Sequence, residues 1–158
     1  MEGAKRAMKL TEVPEIVHWP ESHYVFIERI GPFMNTAPAA WGEMHRLAQE
    51  IHKNNQVTGY TSFYKIAPQV YRAGLTLADA PRNLPQGVRY EKFPGGKYSR
   101  FTLTGPYANL PEASGRVVAI VDERKIKVRE DFWIENYAND PRTTPEDQLI
   151  TQIHVPTS

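Results

Sequence analysis

The sequence predicts an α+β domain made of two βαββ halves. Segments rich in aromatic and β-branched residues alternate with stretches whose apolar residues recur at helical spacing. The order strand, helix, strand, strand occurs twice. The two runs also share residues at a near-constant offset. Gly31-Pro32-Phe33-Met34-Asn35 resembles Gly105-Pro106-Tyr107-Ala108-Asn109 at a spacing of 74 residues, which also sets Tyr24 on Tyr98 and Ala39 on Ala113. Farther on, Tyr64-x-x-x-Pro68 resembles Tyr137-x-x-x-Pro141 at a spacing of 73. Two similar halves related by a pseudo-twofold place a cleft on the axis between them, and ligand sites favour such places.

The first strand is predicted over residues 23–30 (HYVFIERI) and ends at Gly31-Pro32. A helix over 37–53 follows, with Ala40, Trp41, Met44, Leu47, Ala48 and Ile51 on one stripe and Asn54-Asn55 closing it. Residues 59–66 and 70–77 read as strands, and 79–86, with two prolines and an asparagine, as a linker. Residues 88–93 and 97–104 read as a hairpin around Pro94-Gly95-Gly96. A second helix is predicted over 110–125, with Ala113, Val117, Ile120 and Val121 on one face. Residues 132–137 and 148–155 are the last strands, separated by the proline-rich stretch 140–145. Residues 1–22 read as an N-terminal tail, mobile over 1–10, and 23–157 as a single domain, with halves at about 23–78 and 88–156.

Composition narrows the function classes. The charges nearly cancel, 19 Lys and Arg against 18 Asp and Glu, which gives no electrostatic reason to expect direct nucleic-acid or membrane-surface binding. No apolar run approaches the roughly 20 residues a membrane span needs. The absence of cysteine excludes disulfides, thiolate metal sites and a cysteine nucleophile, and suits a cytoplasmic location. No metalloprotease-type histidine spacing, phosphate-binding glycine loop or nucleophile elbow is present, so neither a metal nor a cofactor is expected. Eight tyrosines point toward a half-wet cavity, because a tyrosine hydroxyl needs a partner that a dry core does not supply.

The segment Phe132-Trp133-Ile134-Glu135-Asn136-Tyr137 carries the most information. On a strand, Trp133, Glu135 and Tyr137 share one face. This is either the wet face of an edge strand or the wall of a cavity, where a buried carboxylate asks for a cation or hydrogen-bond donors. Aromatic faces around it would favour an organic cation. Carried back by 73 residues, the same face presents Tyr60, Ser62 and Tyr64.

Several short motifs run through the chain in order: Glu28-x-x-Gly31-Pro32, Pro94-Gly95-Gly96-Lys97-Tyr98, Thr104-Gly105-Pro106-Tyr107, Ile134-Glu135-Asn136-Tyr137-Ala138-Asn139-Asp140-Pro141 and a closing Gln152-Ile153-His154-Val155-Pro156. In these the chain resembles the GyrI-like small-molecule-binding domain, which is also the effector-binding domain of AraC-type and MerR-type multidrug regulators. The resemblance implies an antiparallel sheet with two helices on one side and a central ligand cleft. It implies that Glu135 is the acid that contacts cationic or polar ligands and that Tyr137 is the motif's tyrosine. Trp133, Tyr60, Tyr64 and Tyr107 join the ligand-binding set from strand parity and the repeat. About 22 residues precede the first strand, too few for a helix-turn-helix, so a stand-alone version and not a DNA-binding regulator is expected. The expected function is binding of hydrophobic or cationic aromatic molecules. The alternatives are hydrolysis of a cyclopropanoid DNA-alkylating compound, with Glu135 and Tyr137 catalytic, and modulation of gyrase by protein contact. Haem binding is set aside, since the five histidines read as surface or capping residues. Monomer and dimer both stay open.

Overall fold

The computed structural model describes residues 8–158, and the part of the tail expectation that covers 1–7 lies outside them. The elements are β1 (Lys9–Leu10), β2 (Glu15–Trp19), β3 (Ser22–Ile30), α1 (Phe33–Asn54), β4 (Val57–Lys65), β5 (Val70–Leu77), β6 (Arg89–Phe93), β7 (Gly96–Thr104), α2 (Leu110–Glu123), β8 (Trp133–Tyr137) and β9 (Ile150–Pro156). The strands form one nine-stranded antiparallel sheet in the order β1-β7-β9-β8-β4-β5-β3-β6, with β2 also on the outer edge of β7. No helix of the described residues is long and apolar enough to cross a membrane.

The two helices cover one face of the sheet. Ala40, Met44, Leu47, Ala48 and Ile51 of α1 and Ala113, Val117 and Ile120 of α2 are buried in one cluster with Val25, Ile27, Leu75, Phe101 and Val155 of the strands. α1 starts directly after a Gly-Pro turn, and the Thr36 hydroxyl donates to the Pro32 carbonyl at 3.1 Å. The turns before α1 and α2 match in backbone: Gly31 and Gly105 hold φ of +131° and +136°, a region open to glycine and strained for other residues.

Read outward from the β4–β8 seam, the sheet runs β4-β5-β3 one way and β8-β9-β7 the other. At the seam Tyr60 pairs with Tyr137, Ser62 with Glu135 and Tyr64 with Trp133. Ser62 and Glu135 are thus both cross-strand partners and the positions that the 73-residue offset equates.

The structure corrects two expectations about the path of the chain, and a third, that His154 is a surface or capping residue, since that side chain is buried. The segments at 88–93 and 97–104 are strands but not a hairpin: β6 pairs with β3, and β7 with β9, β1 and β2. Residues 94–95 instead carry the chain from one edge of the sheet to the other, and residues 20–21 make the same crossing between β2 and β3. Such a link spans at most about 11 Å, so the sheet must curl until its edges meet. Gly95, at φ +81°, lies so close to the Trp19 carbonyl and Pro20 that no side chain fits there. The second correction concerns the N-terminal tail. Residues 9–10 and 15–19 are strands paired along β7, and Met8 and Leu10 pack on the helix-side core.

The concave face of the curl holds Tyr24, Phe26, Phe63, Phe93, Tyr98 and Ile134. His154 lies here, 1% exposed, with its ring edge-on to Trp19 at 5.0 Å and to Tyr98 at 6.1 Å. Its Nδ1 has no hydrogen-bond partner among the described residues. Burial, reinforced by the Arg100 charge, lowers its pKa from 6.5 to about 4, so the imidazole is neutral in the fold. The unfolded chain takes up that proton first as pH falls. Between pH 6.5 and 4 the fold therefore loses about 3 kcal/mol through this group. Urea midpoints of the wild type are expected to fall across that window relative to those of His154→Gln, and parallel midpoints would contradict the neutral buried imidazole.

Candidate functional site

Strand parity builds the site on the helix side of the seam. β8 contributes Trp133, Glu135 and Tyr137, β4 contributes Tyr60, Ser62 and Tyr64, and β5 contributes Tyr71, all with side chains toward the helices. α1 lays Phe33 and Trp41 over them, and the turn before α2 adds Tyr107.

Glu135 is 9% exposed and has no lysine or arginine partner among the described residues. Tyr137, two residues on along the same face, donates to Glu135 Oε1 at 2.8 Å. Behind it, Ser62 Oγ lies 2.7 Å from the Tyr137 hydroxyl and 2.6 Å from the Tyr71 hydroxyl. The Trp41 indole N–H reaches Tyr71 Oη at 2.9 Å and Ser62 Oγ at 3.0 Å. Phe33 stands edge-on to Tyr64 with ring centres 5.5 Å apart, and Tyr64 lies 6.3 Å from both Tyr71 and Trp133. Trp41 and Tyr107 each meet Tyr137 edge-on at 5.6 Å.

The rim is aromatic and half-open. Trp41, Tyr60, Tyr107 and Tyr137 are half-buried, while His45 and His52 on α1 are exposed. Tyr60 stacks with Trp41 at 6.2 Å, and its hydroxyl bonds His52 Nε2 at 2.7 Å, not the carboxylate. The result is a buried acid at the foot of a wall of rings.

Burial raises the Glu135 pKa, and the Tyr137 hydrogen bond opposes the rise. Burial also raises the surrounding phenols, with the Glu135 charge adding to it at three of them. Tyr71 reaches about 12, and Tyr64 and Tyr137 go well above their ordinary value. At neutral pH these three phenols are therefore uncharged donors or acceptors.

All six residues singled out from the sequence meet at this place. Trp41, Tyr71 and Phe33 were not singled out. Trp41 sits in the apolar stripe of α1, where an indole reads as core filling, and nothing in the pattern says that its N–H finds a hydroxyl. Tyr71 shares strand parity with Ala73 and Leu75, which was a usable signal. Among the described residues no group of three or more His, Asp or Glu side chains gathers to hold a metal.

Residues 12–158 match the GyrI-like small molecule binding domain. The chain belongs to this family. No curated protein matches it significantly. Among solved structures it is similar to EcmrR in complex with DNA, at 16% identity and a TM-score of 0.77. That match covers 99% of this chain but only 60% of the EcmrR chain. It is similar to SAV2435 bound to tetraphenylphosphonium, at 11% identity and a TM-score of 0.75, covering 92% of this chain and 93% of that one. It is also similar to a hydrolase encoded by lin2189 from Listeria innocua, at 14% identity and a TM-score of 0.62, covering 99% and 96%. At such identities the likeness shows the GyrI-like fold.

The raised Glu135 pKa has a consequence for stability. A carboxyl that holds its proton more tightly folded than unfolded costs stability as pH rises through its folded value. Glu135→Gln keeps an acceptor for Tyr137 and removes that cost. At pH 8 the variant is expected to be more stable by on the order of 1 kcal/mol, or about 2–4 °C in melting temperature, with the gain shrinking in acid. A lower melting temperature for the variant at pH 8 would contradict the picture of a desolvated, uncompensated carboxylate.

Proposed function

We propose that this GyrI-like domain binds one amphipathic aromatic cation at the β4–β8 seam, with Glu135 as the charged anchor. One observation carries the reading: Glu135 is buried without a basic partner among the described residues. A carboxylate taken out of water and left without a countercharge is expensive, and an arriving cation offsets the cost. Phe33, Tyr64, Tyr71 and Trp133 surround it with ring faces and edges, which suit an organic cation better than a hydrated metal ion. The tetraphenylphosphonium held by SAV2435 is a molecule of this class.

The second reading is hydrolysis of a cyclopropanoid electrophile, with Glu135 deprotonating a water and Tyr137 donating to the substrate carbonyl. The hydrolase from Listeria innocua speaks for it. Against it, the one proton of Tyr137 is already committed to Glu135 at 2.8 Å. That arrangement holds a charge better than it serves an acid–base pair.

Titration with tetraphenylphosphonium, followed by tryptophan fluorescence, is expected to show saturable binding that weakens at least about tenfold in Glu135→Gln. Equal affinity in the two proteins would remove Glu135 from the anchor role. Ring-opened product from a cyclopropanoid incubated with the protein, lost in Glu135→Gln, would replace binding by catalysis.

A further inference from the structure

The hydroxyl chain behind Glu135 has a direction. Tyr137 has one proton and gives it to Glu135 Oε1. The proton in the 2.7 Å contact between Ser62 and Tyr137 must then come from Ser62. With its own proton spent, Ser62 can only accept across its 2.6 Å contact with Tyr71, so Tyr71 donates. The Tyr71 oxygen in turn receives the Trp41 N–H at 2.9 Å. An indole nitrogen donates and never accepts. Every hydrogen from Trp41 through Tyr71, Ser62 and Tyr137 therefore points toward the carboxylate.

The opposite direction fails at its far end. If Glu135 held a proton and donated it to Tyr137, each hydroxyl would turn around, and the Tyr71 hydrogen would face the Trp41 N–H. Tyr71 makes well-formed hydrogen bonds with Trp41 and Ser62 among the described residues, so its hydrogen would be left with only the neighbouring Tyr137 oxygen, which in that direction already accepts from Glu135. A buried donor against a donor is costly.

We propose that Trp41 acts as a positioning residue that locks the Tyr71–Ser62–Tyr137 chain in the donor direction, which favours the ionised form of Glu135, because a carboxylate accepts the Tyr137 hydrogen more strongly than a neutral carboxyl does, and so suits the site to cations. This deepens the cation-binding reading and rests on it for the ligand class. Because the hydrogens of the chain are spent inward, none of Tyr137, Ser62 and Tyr71 has a hydrogen left to offer a ligand at Glu135.

Other titratable groups face the cluster. Tyr64 comes from β4, Tyr107 from the turn before α2, and His45 and His52 from α1 through their contacts with Tyr60. Asp140 and Arg142, paired at 2.9 Å, lie in the loop after β8 and act on Tyr60. A readout that reports Glu135 alone is therefore needed.

The experiment is a titration of protein carrying carbon-13 at the glutamate carboxyl, without ligand, with the Glu135 signal assigned from its loss in Glu135→Gln. In Trp41→Phe, which keeps a ring and removes the N–H, the Glu135 midpoint is expected to move up by about one pH unit. Ser62→Ala, which breaks the chain in the middle, is expected to move it up as well, and Ser62→Thr, which keeps the hydroxyl, to leave it in place. An unmoved midpoint in folded Trp41→Phe overturns the proposal. If that variant does not fold, an unmoved midpoint in Ser62→Ala does so. Because no ligand is used, the two ideas fail separately. A moved midpoint without tetraphenylphosphonium binding sinks the cation reading, while binding with an unmoved midpoint sinks the lock.

Discussion

The pairing of β4 with β8 places Ser62 across from Glu135 at the middle of the sheet, and the arrangement of the site follows from that register. Side chains on a strand alternate, so a slip of one residue would send Glu135 to the concave face among Phe63, Tyr24 and Ile134. Those residues hold the register. Phe63 stacks on Tyr24 with ring centres 4.0 Å apart and meets Phe93 at 4.7 Å, a fit that places the opposite parity of β4 under the helices. The aromatic core on one side of the sheet thus fixes the polar cluster on the other.

The cluster is costly to keep, and on the proposed reading that cost serves recognition. A core of this size could be filled with apolar side chains at less cost than a desolvated carboxylate and four hydrogen-bonded polar groups. The fold instead keeps an acid whose pKa is raised by burial and backs it with a chain of hydroxyls ending at an indole. Such a network is worthwhile when its full complement of partners includes something from outside. The phenols around it stay neutral, so on the proposed reading an arriving cation meets the charge of one group.

Much of this was legible in the sequence because it depends on local periodicity. The alternation in 132–137 placed Trp133, Glu135 and Tyr137 on one face, and the 73-residue offset pointed to Tyr60, Ser62 and Tyr64 before any register was known. What escaped the sequence depends on contacts between distant segments. Pro94-Gly95-Gly96 has the local chemistry of a hairpin turn, yet β6 and β7 find partners on opposite edges, a choice that the curl of the whole sheet makes. β2, five residues between Pro14 and Pro20, is too short and too flanked by prolines to read as a strand until β7 offers its edge. Trp41 shows the same limit in a side chain. Helical spacing put it toward the core, but only the fold brings its N–H to Tyr71 and Ser62.

On the proposed reading charge, not aromatic surface alone, selects what this GyrI-like domain holds. Tetraphenylphosphonium and tetraphenylborate have nearly the same shape and opposite charge, so their dissociation constants, measured side by side at neutral pH and moderate salt, separate the two contributions. The phosphonium is expected to bind at least about a hundredfold more tightly than the borate. Equal affinities would contradict it and leave Glu135 a buried acid without a part in recognition.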